Sequence, residues 1–504
     1  MKLNGNGPPR EMFRDFRRDE SGQMLPVVAF MLIALLGLCG LVLDVGHLYM
    51  CHRELQSSCD AAALAGATAM AGATSNPLAT TVGGVKAIAT NYGSVAGSHN
   101  VYNNLPNVTM VSGYPMLACL STFQTQGISC VGYVPYNAVK VKQQAVIPLQ
   151  FAALFGFPTM TITASSTAVK GGGPSRPYNI VVMLDTTLSM TYYDADCGAT
   201  QMQCSLTGLQ VLLQHLDPCG TSQPTCTVTA GNAANSVARV SVFAFPQVSY
   251  PTVPYDYDCS NSTTTAVAYT FPSAVATSYN PGTSNSSTTY RILDFQSDYR
   301  TSDTATILYP TSNLTVAAGG SNSCTGIQPP YNTGQYGTYY AATMYAAQAA
   351  LIQEQTANPG SQNVMIILGD GDADTPQNFN GHNVMAPPAT ASGVYPSWVG
   401  ECGQAIIAAK FASTLGTTVY TVAYGAPSTG GCTTDTNAGA YPNVQPCNEM
   451  AQMATNSWDF FSDYRQTGAQ TSCVAAQTEV ALSDIFLQIA GDLTEARLVT
   501  DAAI

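Results

Sequence analysis

Between Met24 and Leu43 the chain runs for 20 residues without a charge, MLPVVAFMLIALLGLCGLVL. At a helical rise of about 1.5 Å per residue, such a run crosses a hydrocarbon core of about 30 Å. The pattern predicts a membrane-spanning helix over 24–46, with residues 1–23 as a cytoplasmic tail. Arg10, Arg14, Arg17 and Arg18 precede the run and only Arg53 closely follows it, a bias that keeps the preceding side in the cytoplasm and the bulk of the chain outside. A cleaved signal peptide needs a shorter apolar core and a small-x-small cleavage site. Asp44-Val45-Gly46-His47 is a poor one, so a retained anchor is expected.

Beyond the span the period changes twice. Residues 47–73, rich in Ala, Leu and Met, continue as a helix. From about 76 to 170 the pattern is that of strands: Ala138–Lys142 and Met160–Ala164 both alternate apolar and polar positions, with Phe151–Phe157 as a short apolar connection. Residues 47–170 are therefore expected to form a small α+β region after the long helix. Gly171-Gly172-Gly173-Pro174 breaks the chain, placing a linker at 171–176. Buried strands and helices then alternate over 177–495: strands at Tyr178–Asp185, Val237–Phe245, Asn363–Leu368 and Thr417–Tyr424, helices at Thr338–Glu354, Glu401–Leu415, Asn448–Thr455 and Glu479–Leu493. A polar stretch at about 250–330 reads as an insertion. The alternation predicts an α/β fold, a doubly wound sheet with helices on both faces.

Composition narrows the function. Charged residues make up only 9% and hydrophobic residues 46%, which suits an exported, folded protein better than a cytosolic enzyme or a disordered chain. Of the net charge of −13, the part beyond residue 46 holds 12 basic and 25 acidic side chains. An acidic exterior repels phosphate backbones and argues against a nucleic-acid partner. Fifteen cysteines fit an oxidising compartment. Cys39, Cys51 and Cys59, in and just after the span, are expected to be free, and Cys119 and Cys130 to form a local pair. Cys197, Cys204, Cys219, Cys226, Cys259, Cys324, Cys402, Cys432, Cys447 and Cys473 make an even set for disulfides of unspecified connectivity.

Ser21-Gly22-Gln23, the span, Asp44-Val45-Gly46, Leu55-Gln56 and Asp60-Ala61-Ala62-Ala63-Leu64-Ala65 together resemble the N-terminal region of TadG-like proteins of the Flp (tight adherence) pilus-assembly systems of bacteria. The resemblance covers about 50 residues and implies an inner-membrane protein with its outer part in the periplasm or at the cell exterior. A prepilin cut after Gly22 would carry Glu at the fifth following position. Val27 stands there, so a permanently anchored protein is expected.

Two strands end in an aspartate where ligands of open α/β sheets gather. Asp185-Thr186-Thr187-Leu188-Ser189, the turn Gly337-Thr338 and Gly369-Asp370-Gly371 resemble the von Willebrand factor A domain and its metal-ion-dependent adhesion site. Asp185 and Ser189 match the D-x-S-x-S pattern of that family, Thr187 replaces its first serine, Thr338 fits its threonine and Asp370 its second aspartate. Gly369 departs from it. Two carboxylates and three hydroxyls are hard oxygen donors suited to Mg²⁺, or to Mn²⁺. The resemblance implies recognition of a protein partner, a pilus component or a surface ligand. The bland alternative is that Asp185 and Ser189 only close a turn or cap a helix. Asp370-Gly371-Asp372-Ala373-Asp374 is no EF-hand, since Thr375 and Gly381 stand where Gly and Glu are needed, and Asp372 and Asp374 read as solvated turn residues or as rim charges near the site. No H-E-x-x-H, P-loop or G-x-S-x-G occurs, and His99, His215 and His382 are isolated, so no enzyme is expected. A metal-free exported scaffold of the envelope is the second expectation.

Overall fold

The computed structural model describes residues 24–503 apart from 72–76, 97, 99, 133, 174–176, 220–227, 230–231, 234–235, 246–290, 304, 306, 322–325, 328–336, 370, 376, 380–381, 384–388, 427–428, 438, 464–472, 474 and 476–480. One continuous helix, α1 (Met24–Ala71), carries both the charge-free run and the Ala-rich segment behind it. Its first half is exposed, with Leu25 at 79% and Val42 at 70%. Its second half buries a stripe, Cys51, Leu55, Cys59, Ala62, Ala63, Ala67 and Met70, whose spacing of three and four residues is one face of a helix.

That stripe packs on an antiparallel sheet. Strands β1 (Thr109–Met110), β2 (Met116–Ala118), β3 (Ala138–Pro148) and β4 (Thr159–Val169) follow a short helix, α2 (Val82–Asn91). β3 and β4 pair along their full length, from Ala138↔Val169 to Pro148↔Thr159. Val139, Val141, Ala145 and Ile147 turn to α1 with Ile162, Ala164 and Ala168, the period of two that the sequence displays. Small residues let the helix come close: a Cβ on Gly66 would lie 3.0 Å from that of Ala89. Gln56 donates to the carbonyl of Ser165 at 2.9 Å and to Asp60 Oδ1 at 2.9 Å, and Ser58 Oγ donates to the buried Gln143 Oε1 at 3.0 Å.

The second sheet has the order β7–β6–β5–β8–β9–β10. Its strands are β5 (Tyr178–Asp185), β6 (Ala238–Phe245), β7 (Arg291–Gln296), β8 (Gln362–Gly369), β9 (Thr418–Tyr424) and β10 (Phe460–Asp463). All neighbours run parallel except β7, which is antiparallel to β6. Helices cover both faces. Val181, Met183, Met365 and Ile367 pack under α4 (Tyr340–Ala357), α5 (Glu401–Thr414) and α6 (Pro446–Met453). Ile180, Val182, Leu184 and Ile366 pack under α3 (Gln201–His215) and α7 (Leu482–Asp492). α3 and α7 meet so closely that a Cβ on Gly208 would fall 2.4 Å from the Phe486 ring.

The structure differs from the sequence reading in several places. The stretch at 250–330 is not only an insertion, because β7 within it forms an edge of the sheet; residues 246–290 lie outside the described residues. α2, α3 and β10 are elements the reading did not contain. A last strand, β11 (Arg497–Val499), leaves the α/β unit and pairs with β4 through Arg497↔Val169 and Val499↔Thr167, so the first sheet draws on residues far outside 47–170. The Cys119–Cys130 disulfide is present, and Cys39, Cys51 and Cys59 are free. Burial pushes the Cys59 thiol up to about 12. Cys197–Cys204, Cys402–Cys432 and Cys447–Cys473 are the pairs formed in the second unit, and Cys219 is also disulfide-bonded. Cys226, Cys259 and Cys324 lie outside the described residues.

Candidate metal centre

The strand order reverses between β5 and β8, the first strand of the unit and one that follows it only after two others. At such a switch point the connections leave in opposite directions and open a crevice at the carboxyl ends. Leu184 lies opposite Leu368, which sets Asp185 beside Gly369 at the rim. Both strands are buried on both faces along their length, which is why Ile180–Leu184 and Val364–Leu368 are unbroken apolar runs, the first of them closing on Asp185.

Asp185 is fully buried, and its Oδ1 accepts the backbone N–H of Thr187 at 2.8 Å. The hydroxyls of Thr187 and Ser189 lie 2.7 Å apart. Octahedral Mg²⁺ with ligands at about 2.1 Å sets neighbouring oxygens roughly 3 Å apart, so this hydroxyl pair fits adjacent coordination positions. Asp185, Thr187 and Ser189 are thus brought together. Asp370 lies outside the described residues.

Thr338 reaches the same end of the sheet by a different route. The Asp374 carboxylate accepts the Thr338 N–H at 3.1 Å, and the Asp374 N–H donates to the Thr338 carbonyl at 3.1 Å. Gly337 permits this clamp, since a Cβ there would lie 2.3 Å from Asp374 Oδ1. Two residues further on, the Tyr340 hydroxyl accepts the Gly371 N–H at 2.9 Å and comes so near Gly369 that a Cβ there would lie 2.3 Å from it. This explains the departure from the family pattern at Gly369: the volume of a threonine side chain is taken by the tyrosine hydroxyl.

Asp372 is half-buried and Asp374 exposed, as solvated loop residues are, yet both are tied down by hydrogen bonds. Both oxygens of Asp372 accept from Thr433, from its N–H at 3.1 Å and its hydroxyl at 2.8 Å, while Asp374 holds Thr338. Behind them, Asp435 accepts the N–H groups of Cys402 and Gly403, each at 3.0 Å, at the start of α5. Glu401 is fully buried and accepts the Thr375 N–H at 2.8 Å. Burial drives the Glu401 carboxyl well above its usual range, against that hydrogen bond, and the charges of Asp374, Asp435 and Asp372 push the same way. On the other side, the Tyr424 hydroxyl at the end of β9 donates to the buried Asp194 at 2.5 Å. Tyr340, Asp194 and Glu401 were absent from the sequence reading of the site, and Asp374 entered it only as a turn or rim residue. Among the described residues, one group brings possible metal-ligand atoms within 4.8 Å, namely Asp372, Cys402 and Cys432. Its two sulfurs are joined in a disulfide and are not thiolate ligands.

Comparison with known proteins adds the following. Residues 22–69 match the family model described as "Putative Flp pilus-assembly TadE/G-like". The N-terminal segment is TadE/G-like. Its Leu55, Gln56 and Ala-rich run are the residues that seat α1 on the first sheet. No curated protein matches the chain. Among solved structures, the pilus adhesin SpaC of Lactobacillus rhamnosus GG is similar at 13% identity and a TM-score of 0.33, over 71% of this chain and 33% of the adhesin. BatB of Bacteroides thetaiotaomicron is similar at 14% identity and a TM-score of 0.29, over 62% of this chain and 98% of its own. Proximal thread matrix protein 1 of the mussel byssus, solved with a zinc-occupied MIDAS motif, is similar at 14% and 0.29, over 63% and 48%. The chain spans about a third of the adhesin's length. Likenesses this weak carry no inference about partner, metal or activity.

Proposed function

We propose that the chain is a single-pass inner-membrane protein of a Flp/Tad-type pilus system whose external α/β unit is a von Willebrand factor A-type domain that binds a protein partner. The observation that carries this is the joining of a TadE/G-like anchor segment to a sheet whose switch point gathers Asp185, Thr187 and Ser189. The residues that would hold Mg²⁺ or Mn²⁺ are Asp185, Thr187, Ser189, Thr338 and Asp370. When bound, the ion would supply a positive coordination position for an acidic side chain of the partner. The chain's own part is to orient: Asp185 is fixed by the Thr187 N–H, Thr338 by Asp374, and the flanking carboxylates by backbone donors, so little reorganises on binding. The role is recognition in pilus assembly, anchoring or adhesion, not catalysis. The preceding arginines put the N-terminal side in the cytoplasm and the A-type domain outside.

One observation favours a second reading. The Thr187 N–H bond to Asp185 Oδ1 and the Thr187–Ser189 hydroxyl pair are contacts that a plain strand-end turn also makes, as in a metal-free envelope scaffold. Calorimetry of the full chain in detergent with Mg²⁺ and Mn²⁺, beside Asp185→Ala, separates the two. Saturable binding by the parent and at least a tenfold loss in the variant is the expected result. A folded parent that takes up neither ion leaves the scaffold.

A further inference from the structure

We infer that the tip of the β3–β4 hairpin, residues 150–157, enters the lipid bilayer beside α1 and gives the protein a second membrane contact. This rests on the reading of α1 as the anchor. The first observation is chemical. No charged residue lies between Lys142 and Lys170, and the tip reads Gln150-Phe151-Ala152-Ala153-Leu154-Phe155-Gly156-Phe157. Leu154 is 80% exposed, Phe155 72%, Phe157 67% and Met160 50%. Four large apolar side chains presented together at a hairpin end are costly in water and mark a surface made for an apolar neighbour.

The second observation fixes where the tip sits. Both carboxylate oxygens of Asp44 accept backbone N–H groups of the tip, from Gln150 at 2.9 Å, Phe151 at 3.0 Å and Ala152 at 2.6 Å. One turn earlier, the Phe151 ring lies against Gly40, so close that a Cβ there would fall 2.5 Å from it. Gly40 is inside the charge-free run, three residues before Leu43, and a rise of about 1.5 Å per residue puts it roughly 5 Å from the end of that run. Apolar faces of interfacial segments sink about 5–10 Å into the headgroup and acyl boundary, which is the same depth. Asp44, the one charge at this level, is 4% exposed and held by three N–H donors, so it adds no bare charge to the contact.

The third observation is continuity. Leu36, Leu41, Leu43 and Val45 on α1 are exposed next to the docked tip, so the tip widens an apolar surface that already belongs to the membrane span. Lipid is therefore the occupant the surface fits. A hairpin clamped to a helix at two points would also fix how the anchor rotates and how far the outer domains stand from the bilayer.

The test uses the full chain in phosphatidylcholine vesicles whose acyl chains are brominated at shallow or deep carbons. Trp398 and Trp458 provide the background emission of the parent. Three single variants at exposed positions report separately: Leu35→Trp in the span, Phe155→Trp in the tip and Tyr193→Trp on the α/β unit, which are 59%, 72% and 68% exposed and replace no packed group. The expected result is blue-shifted added emission from Phe155→Trp, quenched at least twofold more by shallow than by deep bromines. Leu35→Trp should be quenched by deep bromines, and Tyr193→Trp by neither. Quenching of Leu35→Trp without quenching of Phe155→Trp overturns the inference and leaves the anchor standing. Blue-shifted but unquenched emission from Phe155→Trp that varies with the protein-to-lipid ratio also overturns it, in favour of a second copy of the chain. If neither Leu35→Trp nor Phe155→Trp is quenched, the anchor reading fails and the inference with it.

Discussion

Asp459 stands just before β10 with 5% of its surface exposed. Burial pushes its carboxyl up from 3.8 to about 7, against a hydrogen bond from Asn456 Nδ2 at 2.8 Å, and the nearby Asp492 pushes the same way. The folded state therefore favours the neutral acid, while the unfolded chain ionises it at its ordinary value. The associated stability is complete below 3.8 and is lost as the pH rises to about 7. Asp459→Asn, neutral at every pH, should leave a denaturation profile that falls less between about pH 4 and pH 7 than that of the parent. Parallel profiles for the two proteins would sink the assignment. The same residue scale shows what can be read without a structure. Asp185, Thr187 and Ser189 lie within one turn, and the chemistry of a strand-end Asp-x-Thr-x-Ser was visible as such. Tyr340 over Gly369, Asp374 under Thr338 and Asp194 against Tyr424 were not visible, because each contact joins side chains that only the fold brings together.

At the scale of elements, α1 and the β3–β4 hairpin were the most legible, since a charge-free run, a small-residue helix and a period of two each carry their own signature. α3 should have been legible too. Thr200 and Gln203 form a capping box, with the Thr200 hydroxyl accepting the Gln203 N–H, and Met202, Leu206, Leu209 and Leu213 follow at helical spacing. β10 was not legible, because four residues are too few to display a period. The joint between α1 and the hairpin gives an element-level prediction. Asp44→Ala removes the common acceptor of three N–H groups, whereas Asp44→Asn keeps an acceptor oxygen. Hydrogen exchange of the full chain in detergent should show amides 150–152 opening at least tenfold faster in Asp44→Ala, with an intermediate effect in Asp44→Asn and no change at Val139 or Val141. Unchanged exchange at 150–152 would mean that the carboxylate does not hold the tip.

On the scale of the whole molecule, the division at 171–176 is a break in pattern but not in packing. Gly173 N–H donates to the Glu495 carbonyl at 2.8 Å, and Gln488 Nε2 on α7 donates to Ser129 Oγ at 3.0 Å. Arg497 lies 5.8 Å over the Phe123 ring and donates to Gln126 at 3.2 Å. Asp501 accepts from Ser165 and, at 3.0 Å, from Thr167, while Lys140 Nζ donates to its carbonyl at 2.9 Å. A short strand pairing across some 330 residues of sequence leaves no local pattern, and neither β11 nor its role in joining the two units could be read from composition or period. The consequence is mechanical: a force on the α/β unit reaches α1 through β11 and β4 as well as through the glycine linker. Removal of residues 497–504 should cost the first sheet on the order of 2–4 kcal/mol, from a few ladder and side-chain hydrogen bonds at about 1 kcal/mol each. Amide protection along β4 should fall accordingly while that of β5, buried between β6 and β8, is retained. Equal protection of β4 in the shortened and full chains would show instead that the glycine linker and the Gly173–Glu495 and Gln488–Ser129 contacts couple the two units without β11.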